Sequence, residues 1–297
     1  MERRDFLKGA SLGLAAANTS PASRKVFGNS PAPQQEENLK PASNNPRARP
    51  KDYKKDPFKR LVILGESTVE GGPWLQQQED RYGDVLVRLI NACQKEPIEY
   101  FNKGIGANAI SPRSPGYAES RKPSALERYH QDVIDLHPDL FVLAYGLNDM
   151  RAAMPLSDFR ADMATIIGDV QRACSPVTVL TTVYYMTGWR SYPPYNRGSV
   201  ELTRRYNDCL RGLAAEFDCI LADVWAGEGM ADWVMHYDGV HANKVGQILI
   251  ANRIFEALAQ HASGLTQWVF EQARDTKWTQ NTMKLRSQAG DPFQRDW

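Results

Sequence analysis

Cysteine is scarce in this 297-residue sequence: only Cys93, Cys174, Cys209 and Cys219 occur, and their spacing offers no metal-ligand motif. Cys174 and Cys219 lie beside or within apolar runs, where a buried unpaired thiol is expected. An oxidising destination would permit disulfides, but spacing alone pairs none of the four. Charge of one sign is equally lacking. Lys and Arg number 36 against 35 for Asp and Glu, which withholds the basic field that nucleic acid or an anionic membrane surface would need. No internal repeat is visible. Nor is there a long apolar run: residues 9–17 form one too short to anchor stably in a bilayer. What is left is a soluble globular protein, 42% hydrophobic, with material for one sizeable core and some extensions.

The two ends differ from the middle. Arg3-Arg4-Asp5-Phe6-Leu7-Lys8 and the apolar, small-residue run behind it resemble a twin-arginine (Tat) export signal over residues 1–17, with Ala15-Ala16-Ala17 as a cleavage site. That resemblance implies the twin-arginine export machinery as a partner and a bacterial periplasmic or extracellular destination. Residues 18–57 carry seven of the 18 prolines among Asn, Gln, Ser and Lys, and read as a disordered linker. Residues 58–262 hold the periodic segments of one domain. Residues 263–297 form a C-terminal extension with an amphipathic piece around Trp268, Val269 and Phe270.

In the middle, short apolar runs alternate with helical spacings. Strands are expected at 60–64, 98–101, 140–145, 177–183 and 219–221. Helices are expected over 80–95, 124–136, 156–170 and 199–216, and a last one shows Val245, Ile248, Ala251, Phe255 and Leu258 on one face. Such alternation predicts parallel βαβ units in an α/β fold, with about five parallel strands covered on both sides. Ligands of such sheets bind at the carboxyl ends of the strands, so functional motifs should follow strands directly.

Two motif matches fail that test. Gly9-Ala10-Ser11-Leu12-Gly13 fits the G-x-S-x-G serine elbow, but it lies inside the export-like segment with no strand before it. Gly104-Ile105-Gly106-Ala107-Asn108-Ala109 fits a loose dinucleotide fingerprint, yet Ser111-Pro112-Arg113-Ser114-Pro115-Gly116 prevents the helix that must follow at once. Four segments pass: Gly65-Glu66-Ser67 after the first strand, Asn102 to Asn108 after the second, Gly146-Leu147-Asn148-Asp149 after the third, and Asp238-Gly239-Val240-His241 before the final helix. Together they contain what ester hydrolysis requires. Ser67 sits on an exposed turn as a nucleophile, and His241 offers a neutral imidazole to take its proton. Asp238, three residues earlier, is placed to orient that imidazole. Backbone N–H groups of the Ser67 turn and the Gly106-Ala107 loop, with the Asn148 amide, could receive the oxyanion.

As a set, these blocks resemble the SGNH hydrolase superfamily, also called GDSL esterases/lipases, over about residues 58–262. The resemblance implies a three-layer α/β/α sandwich, flavodoxin-like, and a serine esterase with no metal or cofactor. It assigns Ser67, Asp238 and His241 to a catalytic triad and Ser67, Ala107 and Asn148 to the oxyanion hole. The sequence departs from the family pattern twice. Glu66 replaces the commoner aspartate of G-D-S, and Ala107 holds the place of the oxyanion glycine, leaving Gly106 as an alternative donor.

Substrate is written less clearly. Residues 184–197 hold Trp189, Tyr192 and Tyr195 on a loop after the fourth strand, and Trp225 and Trp233 precede the triad turn. These aromatics could stack on sugar faces or simply pack a long loop. His236 could line the same pocket. The reading is a carboxylic-ester hydrolase for short acyl esters such as O-acetylated carbohydrates. A lipase or lysophospholipase and an acyltransferase share the machinery; a non-catalytic carbohydrate-binding protein is the alternative of another class.

Overall fold

The computed structural model of the protein describes residues 50–274 together with residues 277, 280, 281 and 284. The export-like segment and most of the proline-rich stretch lie outside these residues.

Order is organised around β1 (Arg60–Gly65), whose residues Leu61 to Leu64 are all fully buried. A strand apolar on successive residues has no solvent face, so it must run through the middle of a covered sheet. It is followed by a single helical turn, α1 (Ser67–Glu70), and by α2 (Tyr82–Asn91). Then come β2 (Glu99–Gly104), α3 (Ala125–Asp132), β3 (Leu140–Ala144), α4 (Leu147–Arg151) and α5 (Leu156–Cys174). The chain continues through β4 (Val177–Thr181), α6 (Val200–Glu216), β5 (Ile220–Ala222), α7 (Val224–Glu228), α8 (Lys244–His261) and α9 (Gly264–Arg274). The five strands are all parallel, in the order β2-β1-β3-β4-β5. One group of helices packs α3, α5 and α6 together, and another packs α2, α7 and α8. This is the expected α/β/α sandwich.

The strand order positions the site. The chain steps from β1 to β2 on one side, then returns to lay β3 on the other side. The loops leaving β1 and β3 therefore diverge, and a crevice opens at their carboxyl ends.

Side-chain oxygens start the helices that frame this crevice. Asn243 accepts from the N–H groups of Val245 (3.0 Å) and Gly246 (3.1 Å) at the start of α8, and Ser199 accepts from Leu202 (3.0 Å) at the start of α6. The apolar face expected of the last helix needs correction. Val245 and Ile248 are exposed, and α8 instead buries Gln247, Ile250, Ala251, Ile254 and Leu258. Gln247 is inside because its carbonyl accepts the backbone N–H of Tyr82 (2.8 Å) and so ties α8 to the start of α2.

The amino edge of the sheet is closed by residues 50–57, which hold to the domain although they share the composition of the linker. Tyr53 N–H donates to His261 O (2.7 Å), Asp52 accepts from Ser263 N–H (3.0 Å) and Oγ (2.7 Å), and Gly264 N–H donates to Lys54 O (3.0 Å). The ordered domain thus begins before residue 58, and α9, with Leu265 buried, packs onto it. The four cysteines are unpaired thiols, Cys219 buried and the others half-buried.

Candidate active site

The turn after β1 carries Ser67 at the start of α1, almost fully buried. Its Oγ lies 2.9 Å from His241 Nε2, and His241 Nδ1 lies 2.6 Å from an Asp238 carboxylate oxygen. The three-residue spacing works because the other Asp238 oxygen accepts the N–H groups of Val240 (2.8 Å) and His241 (2.9 Å), which folds the turn back on itself. Gly239 sits inside that turn at φ 69°, a conformation a side chain would resist. Its carbonyl accepts from the N–H groups of Thr187 (2.8 Å) and Gly188 (2.7 Å), so the loop after β4 grips the turn directly. Tyr184 adds a clamp, bonding Thr68 Oγ1 (2.6 Å) and donating to Val240 O (2.9 Å).

Electrostatics suit a neutral imidazole. Burial lowers the His241 pKa from its ordinary value, and the hydrogen bond and charge of Asp238 only partly restore it. Burial pushes Asp238 upward, but its hydrogen bonds from His241 and Val240 outweigh this and leave it at about 2. An ionised carboxylate holding Nδ1–H leaves Nε2 free to accept the serine proton.

The loop after β2 lies against the same turn, with Ile105 N–H donating to Gly65 O (3.2 Å). The N–H groups of Ser67, Gly106 and Ala107 bond to no acceptor among the described residues. Asn148 Nδ2 donates one proton to Asn108 O (3.0 Å) and keeps a second. Ala107 takes the left-handed conformation, φ 54°, so the methyl group has not displaced the loop from a glycine-like backbone. A polar frame holds it there. Arg128 reaches Lys103 O (3.0 Å) and the Tyr145 hydroxyl (2.7 Å), which donates to Asn108 Oδ1 (2.6 Å).

Glu66, which reads from sequence as a harmless flanking change, is buried and structural. Its Oε1 accepts the N–H groups of Gly146 (3.3 Å) and Asn148 (3.1 Å), joining the Ser67 turn to the start of α4. Burial, and then the nearby Asp149, raise its pKa well above the usual carboxylate range. Asp149 is itself pushed up to about 7 by burial, against the pull of hydrogen bonds such as that from Ile110 N–H.

The expected aromatics separate. Trp189 and Trp225 both edge onto Tyr185, with centroids 5.7 and 5.8 Å apart, in a half-buried cluster next to the segment that grips the Asp238–His241 turn. Tyr192 and Trp233 are exposed. Tyr195 is a correction: it is 1% exposed, with its hydroxyl donating to Ala107 O (3.0 Å) and Gly116 O (3.3 Å), so it braces the Ala107 loop and offers no surface to a ligand. His236 Nδ1 approaches the same Asp238 oxygen that His241 Nδ1 touches, at 3.4 Å. Trp74 was not anticipated. It lies face to face on the His241 ring, and its only sequence signal is a tryptophan after Gly71-Gly72-Pro73, a few residues past Ser67. Among the described residues no group of three or more His, Cys, Asp or Glu side chains is placed to hold a metal.

The model of the GDSL-like lipase/acylhydrolase family matches residues 63–248, more than half of the chain and all four blocks. The chain belongs to this family. As a GDSL-like acylhydrolase it is a hydrolase acting on ester bonds. Solved structures share the fold. A lipase/acylhydrolase from Enterococcus faecalis superposes with a TM-score of 0.54 at 20% identity, over 67% of this chain and 94% of that one. An α/β hydrolase from the metagenome of Lake Arreo gives 0.54 at 19%, over 70% and 98%. An acetylxylan esterase from Geobacillus stearothermophilus gives 0.52 at 18%, over 69% and 96%. No curated protein matches the sequence.

Proposed function

We propose that this GDSL-like hydrolase is a serine esterase in which Ser67 attacks the ester carbonyl, His241 takes its proton, and Asp238 orients His241 and stabilises the imidazolium. The observation that carries the reading is the unbroken relay from Ser67 Oγ to His241 (2.9 Å) to Asp238 (2.6 Å). The developing oxyanion rests on the N–H groups of Ser67 and Ala107 and on the Asn148 amide. Collapse expels the alcohol, which takes the proton from His241. Water, activated by the same imidazole, then releases the acid from the acyl-enzyme.

The substrate class we propose is a short acyl ester, such as an acetyl group on a carbohydrate. The Trp189–Tyr185–Trp225 cluster beside the triad turn supports a sugar face. The acetylxylan esterase shares the fold and makes acetyl esters the first to try. A second reading, a lipid ester, draws on the exposed Met230, Trp233 and Tyr237 leading into the triad turn. We also propose export through the twin-arginine route, read from residues 1–17, with residues 18–49 as a linker. No helix among the described residues is long and apolar enough to cross a membrane.

The test is hydrolysis of p-nitrophenyl esters from acetate to palmitate by the wild type and Ser67→Ala. Loss of ~10³-fold or more in the variant is expected. Rates greatest on acetate support the short-acyl reading, and rates rising with chain length turn it to lipids. A folded wild type no faster than Ser67→Ala on every ester would sink the triad. Adding an alcohol acceptor and looking for transferred product separates an acyltransferase.

A further inference from the structure

Trp74 has no place in the relay, yet its ring lies flat against His241. Its ring centroid is 3.7 Å from that of His241, and the two planes differ by 8°. The arrangement is built by the backbone beneath it. A Cβ at Gly72 would collide with the six-membered ring of the indole, so only glycine there lets Trp74 fold back over its own loop. Gly71, at φ 78°, makes the turn that brings the loop off α1. The indole Nε1 is buried and bonds to nothing among the described residues, a cost usually avoided unless the ring's position is the point.

We infer that Trp74 is a positioning residue for the general base: its π face holds the His241 ring in plane with Ser67 and Asp238 and stabilises the imidazolium formed as Ser67 attacks. The inference rests on the Ser67–His241–Asp238 reading. The physics is that an aromatic face carries negative potential, which attracts a cation stacked on it and does little for the neutral ring. The attraction therefore appears when the proton moves to Nε2, in the transition state, and lowers the barrier instead of tightening ground-state binding. The other groups facing His241 are Asp238, which favours the imidazolium, and His236 and Arg151, which oppose it. Arg151 comes from α4 and is nearly buried. With a cation and a second imidazole on the opposing side, a neutral donor of electron density is what the site otherwise lacks.

The test uses the full chain and p-nitrophenyl acetate, with Trp74→Leu, Trp74→Phe, Gly72→Ala and Ser67→Ala. Leucine keeps an apolar cover without the π face. Expected for Trp74→Leu is a fall in kcat of about tenfold with KM little changed, and an acid limb of kcat/KM shifted to lower pH. Trp74→Phe should recover most of the rate and the wild-type limb. Gly72→Ala, which dislodges the indole without removing it, should move kcat in the same direction as Trp74→Leu and so reads the idea even if one variant folds poorly. If Ser67→Ala is as active as wild type, the triad reading itself has failed. If Ser67→Ala is inert while Trp74→Leu keeps wild-type kcat and acid limb, the role of Trp74 is overturned alone. A raised KM with kcat unchanged would make Trp74 a wall of the substrate pocket, and would overturn it too.

Discussion

At the scale of single residues, one methyl group separates the proposed oxyanion loop from the glycine expected at position 107. Ala107 holds φ 54°, which costs alanine about 1 kcal/mol relative to glycine. Ala107→Gly should therefore raise Tm by up to ~2–4 °C and leave the rate on p-nitrophenyl acetate nearly unchanged; earlier unfolding would show the loop is unstrained. The strain is borne because Tyr195 holds the Ala107 carbonyl from below. Tyr195→Phe keeps the packing but removes that donor, at a cost of about 1 kcal/mol. Kinetics should show kcat down severalfold with KM steady, the signature of a displaced oxyanion donor; a rise in KM alone would return Tyr195 to the substrate. The pH dependence follows from His241. In the proposed relay only neutral imidazole can accept the serine proton, and the His241 pKa lies below the ordinary 6.5, chiefly through burial. The acid limb of kcat/KM should accordingly fall below pH 6.5, and a limb above that value would contradict the burial argument.

At the scale of elements, Glu66 binds two of them together. It follows β1 and accepts from the first turn of α4, so the Ser67 turn and Asn148 are tied together. Glu66→Ala leaves two buried N–H groups without a partner, each worth about 1–3 kcal/mol, and should lower both Tm and kcat. Glu66→Gln keeps a carbonyl oxygen in place and should be mild, because the buried carboxyl already favours its neutral form; calorimetry and steady-state rates on the pair separate the two outcomes. This contact also explains what the sequence could and could not reveal. Leu61 to Leu64 announce β1 by being apolar without alternation, and the four blocks are legible because each sits at an element end. That β1 and β3 are neighbours is a property of strand order, invisible in local spacing, so Glu66 reads as a bystander. Trp74 on His241 is hidden for the same reason, joining positions 167 residues apart. The face of α8 misreads because Gln247 is buried for a hydrogen bond that hydrophobic periodicity does not register.

At the scale of the whole molecule, three buried acids set the pH of greatest stability. Burial raises Glu66 well above its ordinary value, Asp149 to about 7 and Glu228 to about 8. Each keeps a proton in the fold that the unfolded chain releases near pH 4, so stability is lost as pH rises from about 4 to 8. Asp238, held at about 2, acts oppositely, its contribution disappearing as pH falls from about 4 towards 2. His241 also opposes below pH 6.5; between about pH 5 and 8, where Asp238 stays ionised in both states, it stands against the three raised acids. Tm should be higher at about pH 5 than at about pH 8, and the reverse order would mean the three acids are ionised in the fold. A chain starting at residue 58 should melt several degrees below one starting at 50, since it loses the bonds of Asp52, Tyr53 and Lys54 to residues 261–264. Those bonds gather both ends of the described domain at the amino edge of the sheet, where Lys95 also pairs with Glu271 of α9 (3.3 Å). Ser67, Ala107 and Asn148 all stand at the opposite, carboxyl edge. A domain coupled to a bead or a surface through either end would thus turn its reactive pole outward, open to a polymer too large to diffuse beneath it.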